Sequence, residues 1–282
     1  SYLYTNGGIQ MAVNTRILFT DLDGTLLNDQ KQISEGNLAA IHMALEKGHK
    51  IVISTGRALT SAKKQAQALG LTMPGCYIIA FNGACIYDIH EKKIIFSETI
   101  PVDYVYHLFE EAHKLDIHIQ TYDDTQVLTE SENEDLFRYC HNTGLGYKVI
   151  SSVRSELTFS PYKVLVIDYQ HHEPLVQFQE QIRSWAEGKI DFYFSCNELL
   201  EIVAPGISKG NAIIRLCEQL QIPPEATISA GDADNDISML QTTHTSVVMK
   251  NADPHMHAYA TYITEQDNNH DGVAEAIYKF ML

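Results

Sequence analysis

The sequence lacks the features that would place it in a membrane or on a nucleic acid. No apolar run approaches the ~18 to 20 residues that span a bilayer, and the N-terminus lacks the basic-then-apolar layout of a signal peptide. Positive charge is scarce, because 20 lysines and arginines face 36 aspartates and glutamates, giving a formal net charge of −16. Such a charge repels nucleic-acid phosphates and anionic lipids. We therefore expect a small-molecule partner, with no nucleic acid and no membrane.

Cysteine is also sparse, and its spacing indicates no site. The cysteines are odd in number and scattered, with no C-x-x-C pair, which argues against a disulfide framework and against a thiolate zinc site. They are Cys76, Cys85, Cys140, Cys196 and Cys217. We expect them to be small packing residues in a cytoplasmic protein.

Short apolar runs rich in β-formers alternate with amphipathic helical segments along the chain. Three runs lie before Asp21, at 51–53 and at 77–81, and the same rhythm returns at 226–231, 246–249 and 262–264. This alternation is typical of parallel strands joined by crossover helices. The sequence therefore predicts an α/β fold with a doubly wound, Rossmann-like parallel sheet as its core.

The chain between these two stretches predicts a second body. Residues 99–204 contain strands and helices of their own and no low-complexity linker, so we predict an inserted α/β cap domain there. The core would then consist of residues 11–98 and 205–282, with a double hinge near Thr99 and Pro205. Residues 1–10, which precede Met11, show no periodic pattern and are interpreted as a tag or an extended N-terminus.

Two motifs that directly follow predicted strands carry candidate chemistry. Asp21 and Asp23 belong to the run D-L-D-G-T, in which two carboxylates suit Mg²⁺ and Gly24 permits a sharp turn. The alternative is an ordinary acidic turn. Thr55 and Gly56, in S-T-G-R, offer a hydroxyl and backbone amides to phosphate oxygens, although the same residues are common at helix N-termini without any ligand.

Two further motifs lie after the predicted insert. Lys209, in G-I-S-K-G, opens a predicted helix, and its alternative interpretation is a solvated surface lysine. Asp232, Asn235 and Asp236 lie in G-D-A-D-N-D, whose spacing resembles a calcium loop. That loop requires Gly and Glu where this sequence has Ile and Thr, so we reject it. We expect these carboxylates to complete the metal site that the first motif begins.

In this order, D-L-D-G-T-L, S-T-G-R, S-K-G and G-D-A-D-N-D resemble the motifs of the haloacid dehalogenase-like superfamily of phosphatases. The insert between the second and third motifs, together with A-F-N-G-A at 80–84, resembles the Cof-type branch, which carries an α/β cap at that place. The resemblance extends from Met11 to Leu282.

The resemblance implies a role for each acid. Asp21 would attack the phosphoryl group, while Asp23 would protonate the leaving alcohol and later deprotonate the attacking water. Mg²⁺ would lie between Asp21, the backbone carbonyl of Asp23 and Asp232, with Asp236 behind these ligands as a positioning residue.

The resemblance also implies how the substrate is held. The residues expected to bind the substrate phosphate are Thr55, Gly56, Lys209 and Asn235. Arg57 is a candidate contact to the substrate or the cap, with a salt bridge at a helix start as the alternative. Asn82 is either a tight-turn residue or a substrate contact.

Together these features predict a Mg²⁺-dependent hydrolase of small phosphate monoesters, either sugar phosphates or phosphorylated cofactors, with an aspartyl-phosphate on Asp21 as intermediate. Two alternatives stay open. One is a phosphomutase that returns the phosphoryl group to a sugar hydroxyl, and the other is a regulator that binds a phosphorylated metabolite with negligible turnover. The sequence identifies neither the substrate, nor the cap residues that select it, nor the oligomeric state.

Overall fold

The computed structural model of the protein describes residues 2–5, 8–11 and 14–282. The strands in this part of the chain are β1 (Tyr2–Thr5), β2 (Gly8–Met11), β3 (Ile17–Thr20), β4 (Lys50–Ser54), β5 (Cys76–Ala80), β6 (Cys85–Asp88), β7 (Lys93–Ser97), β8 (His118–Tyr122), β9 (Gln126–Thr129), β10 (Gly146–Val149), β11 (Lys163–Ile167), β12 (Asp191–Cys196), β13 (Leu199–Val203), β14 (Thr227–Gly231), β15 (Thr245–Val248) and β16 (Tyr262–Ile263). The α-helices are α1 (Glu35–Glu46), α2 (Leu59–Ala68), α3 (Val102–Lys114), α4 (Glu134–Thr143), α5 (Val153–Glu156), α6 (Glu173–Ala186), α7 (Lys209–Leu220), α8 (Ile237–Thr242) and α9 (Gly272–Phe280). Within the described ranges, no helix combines the length and the apolar character that a membrane crossing requires.

The N-terminal segment interpreted as a tag or an extended start is only partly described. Strands β1 and β2 pair with each other in antiparallel fashion. Residues 1, 6 and 7 of the segment lie outside the described residues. The interpretation of residues 1–10 stays a prediction.

The larger sheet has eight strands in the order β16-β15-β14-β3-β4-β5-β6-β7. The pairings from β16 to β5 are parallel, and those of β5 with β6 and of β6 with β7 are antiparallel. Strand β3 (ILFT) lies in the interior of the sheet and is buried throughout, as expected for a parallel strand covered on both faces. The predicted parallel core is therefore present, together with an antiparallel edge that was not predicted.

The two faces of this sheet carry separate apolar cores. Leu18 and Ile51 face one side, where helices α1, α2 and α9 pack, while Ile17, Phe19 and Val52 face the other side, where α7 and α8 pack. Side chains of successive residues alternate between faces because the strand repeat is two residues. Helices on both faces make the sheet doubly wound, which confirms the predicted fold class.

The second sheet has six strands in the order β10-β9-β8-β11-β13-β12. Helices α3 and α6 bury one face through residues such as Phe109 and Phe178, and helix α4 packs over part of the other face beside Tyr122 and Leu165. All strands of this sheet lie within the stretch 99–204 that was predicted as an inserted domain. The exact domain boundaries, 98/99 and 204/205, stay a prediction.

The two sheets meet near the turn that follows β5. The rings of Phe81 and Tyr162 stack with centroids 4.6 Å apart. Beside them, the Asn82 side-chain amide donates a hydrogen bond to the Tyr193 hydroxyl, 3.1 Å away. These contacts join the end of a core strand to the second sheet.

Candidate active site

The predicted motifs converge because they follow adjacent parallel strands. Strand β3 lies between β14 and β4, and all three run in the same direction. Asp21 follows β3, Thr55 follows β4, and Asp232 follows β14. Since the carboxyl ends of parallel strands meet at one edge of a sheet, the three side chains lie at one site.

The turn after β3 is fixed by close packing. The Asp21 backbone N–H donates to the Ala230 carbonyl at 3.0 Å. Gly24 has a φ of +75°, and a Cβ there would come within 2.2 Å of an Asp232 carboxylate oxygen. The Thr25 hydroxyl donates to the other Asp232 oxygen at 2.9 Å. Glycine is thus required for both the left-handed backbone and the approach of the carboxylate.

Three carboxylates cluster at this edge around one buried lysine. One carboxylate oxygen from each of Asp21, Asp232 and Asp236 lies within 4.8 Å of the others. The Lys209 ammonium donates to Asp236 at 2.7 Å and to Asp21 at 3.3 Å, and its side chain is fully buried. The alternative of a solvated surface lysine is therefore wrong.

Lys209 owes its position to the start of α7. The Ser208 hydroxyl caps this helix by accepting from the Asn211 N–H at 3.0 Å. Gly83, with a φ of +110°, packs so closely here that a Cβ would lie 2.2 Å from the Ser208 carbonyl oxygen. The turn after β5 therefore presses against the residue that precedes the lysine.

Asp236 is already saturated by neighbours. One oxygen accepts from Lys209, and the other accepts from the backbone N–H groups of Asp232 at 2.9 Å and Ala233 at 3.2 Å. Its carboxylate therefore orients the loop and the lysine. Asp21 and Asp232 are the carboxylates of the cluster that have ligand capacity to spare.

The cluster carries more negative charge than the lysine balances. Burial and the charge of Asp236 raise the pKa of Asp21 well above its ordinary value, although Lys209 opposes the shift. Burial and Asp236 likewise raise the pKa of Asp232 to about 6. Burial lowers the pKa of Lys209, but Asp21 and Asp236 more than offset this effect, so its pKa is raised. A divalent cation with oxygen ligands fits such a set.

The Asp23 carboxylate points to a different set of partners. Arg57 donates to its two oxygens from Nε at 3.0 Å and from Nη2 at 2.6 Å, and the Lys31 ammonium lies 3.0 Å from one of them. Burial raises the pKa of Asp23, but Arg57 and Lys31 outweigh it, so the pKa is lowered. The side chain of Asp23 is thus outside the carboxylate cluster. The salt bridge considered for Arg57 is present, and its partner is the predicted acid.

Asn82 occupies a turn and links three parts of the site. Its φ of 54° is left-handed. Its side-chain oxygen accepts from Asn235 at 3.4 Å, and its amide donates to Tyr193 on the second sheet at 3.1 Å. A Cβ on Gly56 would lie 3.2 Å from the same oxygen. Asn82 thus lies in a turn, and its contact with a substrate stays a prediction. Thr55, whose hydroxyl accepts from the Arg57 N–H at 3.0 Å, lies beside it.

A cavity of about 810 Å³ opens over these residues. Asp21, Asp23 and Arg57 line it at the larger sheet, while Lys163 on the second sheet and Tyr139 on helix α4 line it on the other side. A volume of this size holds a ligand much larger than phosphate. The candidate site is therefore a chamber between the two sheets.

Sequence reasoning missed Lys31 and the residues of the second sheet. Lys31 follows the first motif in a loop where its own φ is 61°, and no local pattern points it at Asp23. Lys163 and Tyr122 could have been singled out as polar residues within apolar strand runs. Such placement signals a special environment without identifying it.

The comparisons with known proteins agree with this geometry. A model of the family described as haloacid dehalogenase-like hydrolase matches residues 18–277. The 5-amino-6-(5-phospho-D-ribitylamino)uracil phosphatase YcsE of Bacillus subtilis is 30% identical over 279 residues, which cover 96% of this chain and 97% of that protein. The pyridoxal phosphate phosphatase YbhA of Escherichia coli is 28% identical over 281 residues, which cover 96% and 100%.

A solved structure gives the same result. A haloacid dehalogenase-like hydrolase from Bacteroides thetaiotaomicron superposes with a TM-score of 0.84 at 28% identity, covering 94% of this chain and 99% of that one. The predicted fold and the predicted enzyme class, a haloacid dehalogenase-like phosphatase, are confirmed. The chain belongs to the haloacid dehalogenase-like hydrolase family.

Proposed function

We propose that the protein hydrolyses small phosphate monoesters in a Mg²⁺-dependent reaction with Asp21 as nucleophile. The observation that carries the proposal is the contact between Asp21 and the buried Lys209 within a cluster of three carboxylates, below a cavity of about 810 Å³. Two relatives are named as phosphatases of pyridoxal phosphate and of a phosphorylated ribitylaminouracil. Their names support sugar phosphates or phosphorylated cofactors as the substrate class.

The charge of the site supports a divalent cation. Asp21, Asp232 and the backbone carbonyl of Asp23 would hold Mg²⁺, whose preference for oxygen ligands matches this set. When bound, the cation supplies positive charge that lets an anionic phosphate approach an anionic carboxylate.

In the first step, a carboxylate oxygen of Asp21 attacks phosphorus and the bond from phosphorus to the leaving oxygen breaks. Asp23 gives its proton to that oxygen, which departs as an alcohol. The Lys209 ammonium, the Thr55 hydroxyl and the Gly56 N–H donate to the phosphoryl oxygens, where negative charge spreads in the transition state. The side chain of Asn235, which lies beside Asn82, supports the same oxygens.

In the second step, a water oxygen attacks the phosphorus of the aspartyl-phosphate, and Asp23 takes the proton from that water. Phosphate leaves, and the carboxylate of Asp21 is restored. Before the first step, Asp23 must leave Arg57 and Lys31, because both cations hold it in the ionised form, and must take up from solvent the proton that it gives to the leaving oxygen. We expect the substrate phosphate to compete for these two cations and so to free the acid.

The domain division is part of the proposal. Residues 11–98 and 205–282 would form the core, and residues 99–204 a cap that closes over the cavity about hinges near Thr99 and Pro205. The separate apolar cores of the two sheets support this division. Small-angle scattering with and without a phosphate analogue tests it, since identical profiles would argue against closure. The free cysteines of the described chain support the proposed cytoplasmic location.

Phosphate release from a panel of sugar phosphates, nucleotides and cofactor phosphates, with Mg²⁺ or with EDTA, tests the function. We expect release that needs the metal, that is lost in Asp21→Asn and that persists in Asp103→Asn, an exposed aspartate on α3. Formation of an isomeric sugar phosphate without free phosphate would instead establish a mutase. Tight binding of an ester without turnover would establish a binding regulator.

A further inference from the structure

One face of the second sheet places polar side chains from neighbouring strands side by side. Val164 pairs with Thr121, so the next pair along the two strands is Lys163 with Tyr122. Leu165, which shares a face with Lys163, pairs with Glu201 on β13. Lys163 and Tyr122 both line the large cavity.

Lys163 is nearly buried and has unused donors. Its side chain is 11% exposed, and its ammonium lies 3.8 Å from a Glu201 oxygen and 4.7 Å from the centre of the Tyr122 ring. The distance to Glu201 is too long for a hydrogen bond, and the position over the ring is a cation–π contact. Across the described residues, the ammonium makes no hydrogen bond, although it has three N–H donors. Because Lys163 lines the cavity and its ammonium has no hydrogen-bond acceptor among the described residues, it can donate to a ligand oxygen without losing a hydrogen bond within the protein.

Glu201 keeps the lysine charged without satisfying it. Burial lowers the pKa of Lys163, but the negative charge of Glu201 outweighs the effect, so the pKa is raised. One Glu201 oxygen accepts from the Ser195 hydroxyl at 3.3 Å. The other is buried without a hydrogen-bond partner among the described residues. The two charges of the pair thus balance each other, while the Lys163 ammonium and one Glu201 oxygen have no hydrogen-bond partner among the described residues.

A chain of hydrogen bonds leads from helix α4 to the same cavity. The Asn133 amide at its start determines which group is the donor in each bond. The Asn133 side-chain oxygen caps α4 by accepting from the Leu136 N–H at 2.8 Å. Its amide nitrogen therefore donates to Nδ1 of His118, 2.8 Å away. Nε2 of His118 must then carry the proton, and it donates to the Gln120 oxygen at 2.8 Å.

The same direction continues to the cavity wall. With its oxygen occupied, Gln120 donates through its amide nitrogen to the Tyr122 hydroxyl at 2.9 Å. Tyr122 in turn donates to the Tyr139 hydroxyl at 2.8 Å. The proton of Tyr139 finds no acceptor in the part of the chain that the structure describes. Tyr139 thus presents a free O–H donor at the cavity that Lys163 also lines.

We propose that Lys163 and Tyr139 select esters whose leaving group carries a carbonyl or carboxylate oxygen. Both side chains offer donors, and such an oxygen only accepts, so it matches both of them at once. A hydroxyl can fill the same place but would leave its own proton beside donors, because the unpaired Glu201 oxygen is buried and Glu201 is not among the described residues that line the cavity. The inference rests on the proposed hydrolysis, for which these residues would determine specificity.

Esters that differ only in an acceptor oxygen on the leaving group measure the preference of the site independently of the rate of phosphoryl transfer. Benzyl phosphate lacks the acceptor, while the meta and para isomers of carboxybenzyl and acetylbenzyl phosphate carry a carboxylate or a ketone, and the methylene keeps the leaving oxygen nearly constant. We expect kcat/KM to favour at least one acceptor-bearing isomer by about 10-fold or more. The carboxylate and ketone arms show which kind of oxygen is preferred.

Variants locate the preference. In Lys163→Met and in Tyr139→Phe, the ratio of kcat/KM between the favoured ester and benzyl phosphate should fall toward one. It should persist in Lys148→Met, which changes an exposed lysine on β10. Lys163→Met leaves Glu201 without a partner and can fail to fold, so Lys163→Met/Glu201→Gln, which removes both charges, is measured beside it.

Binding of the corresponding benzylphosphonates, which cannot be hydrolysed, completes the test by calorimetry. Preferential binding of an acceptor-bearing phosphonate, lost in the double variant, would support the inference even if no ester were hydrolysed. The absence of hydrolysis would contradict only the proposed function. Equal binding and turnover of all probes, or a preference that survives in both Tyr139→Phe and the double variant, would overturn it.

Discussion

Lys209, which is buried, and Lys163, which is nearly buried, differ in how completely they are paired. Lys209, at the edge of the larger sheet, donates to Asp236 at 2.7 Å and to Asp21 at 3.3 Å. Lys163, on the second sheet, lies 3.8 Å from Glu201. Both face the region between the sheets, yet one is hydrogen-bonded to carboxylates and the other is not.

The difference separates chemistry from selection. A phosphoryl-transfer site gains from donors that are already oriented before the substrate arrives. A selection site gains from donors that the protein leaves unsatisfied, because a ligand without the matching acceptor then leaves them unpaired. Lys209 fits the first requirement, and Lys163 fits the second.

The largest effects should come from replacing each of the two lysines by methionine. Lys209→Met leaves a buried carboxylate cluster without its cation and should cost about 3–5 kcal/mol of unfolding free energy, with a rate loss on the order of 10³-fold or more. Lys163→Met leaves a single carboxylate, Glu201, without its cation and should cost less, about 1–3 kcal/mol. Chemical denaturation of both variants measures the free energies, and equal losses would contradict the distinction.

Asp23→Asn should lower turnover by about 10²- to 10⁴-fold, because the leaving alcohol loses its acid and the water loses its base. The carboxylate is partly exposed, so we expect little change in unfolding free energy. Phosphate release and denaturation measure the two quantities. Asp29→Asn, in the same loop, serves as the control, and turnover in Asp23→Asn equal to that of the control would rule out the assigned role.

Metal and pH should act on the larger sheet through Asp232. Its pKa is raised from 3.8 to about 6, so the metal-free fold binds this proton more tightly than the unfolded chain does. The stability that this bound proton adds to the metal-free fold is fully present below about pH 4 and is lost as the pH rises through about 6. Above that pH the ionised cluster can bind a cation.

Thermal unfolding with EDTA or Mg²⁺ measures this linkage. At a concentration 100 times its dissociation constant, Mg²⁺ should add about 2.7 kcal/mol near neutral pH and clearly less at about pH 5. Asp232→Asn should abolish both the metal effect and its pH dependence. Equal stabilisation by Mg²⁺ at both pH values would contradict the assignment of Asp232.

The smallest effect should come from the contact between the two regions. Tyr193→Phe removes the hydroxyl that accepts from Asn82, a hydrogen bond of 3.1 Å. We expect a change of about 1 kcal/mol or less, seen as a several-fold change in KM with kcat nearly constant. Tyr278→Phe, an exposed tyrosine on α9, is the matched control.

The core site could be predicted because strand order determines it. Asp21, Thr55 and Asp232 each follow a strand, and parallel strands bring such residues to one edge whatever their separation in sequence. Lys209 depended on the motif resemblance, since a lysine in a sequence gives no sign of being buried. Sequence patterns were sufficient for these three residues because the course of the backbone determines their positions more than their side-chain rotamers do.

The rest could not be predicted, for two physical reasons. The partners of Asp23 depend on a loop in which Lys31 adopts a left-handed φ of 61°, and on the rotamer of Arg57. The pairing of Lys163 with Glu201 depends on the register between β11 and β13. A shift of one residue in that register would turn one side chain to the opposite face.

The most direct test of the account is the covalent state of Asp21 during turnover. The Asp23→Asn variant, mixed with Mg²⁺ and an ester that it turns over slowly, is quenched in acid and analysed by mass spectrometry with peptide mapping. The account predicts one phosphoryl group on Asp21, absent from the Asp21→Asn/Asp23→Asn double variant. A phosphoryl group on another residue, or none while the variant still releases phosphate, would contradict it.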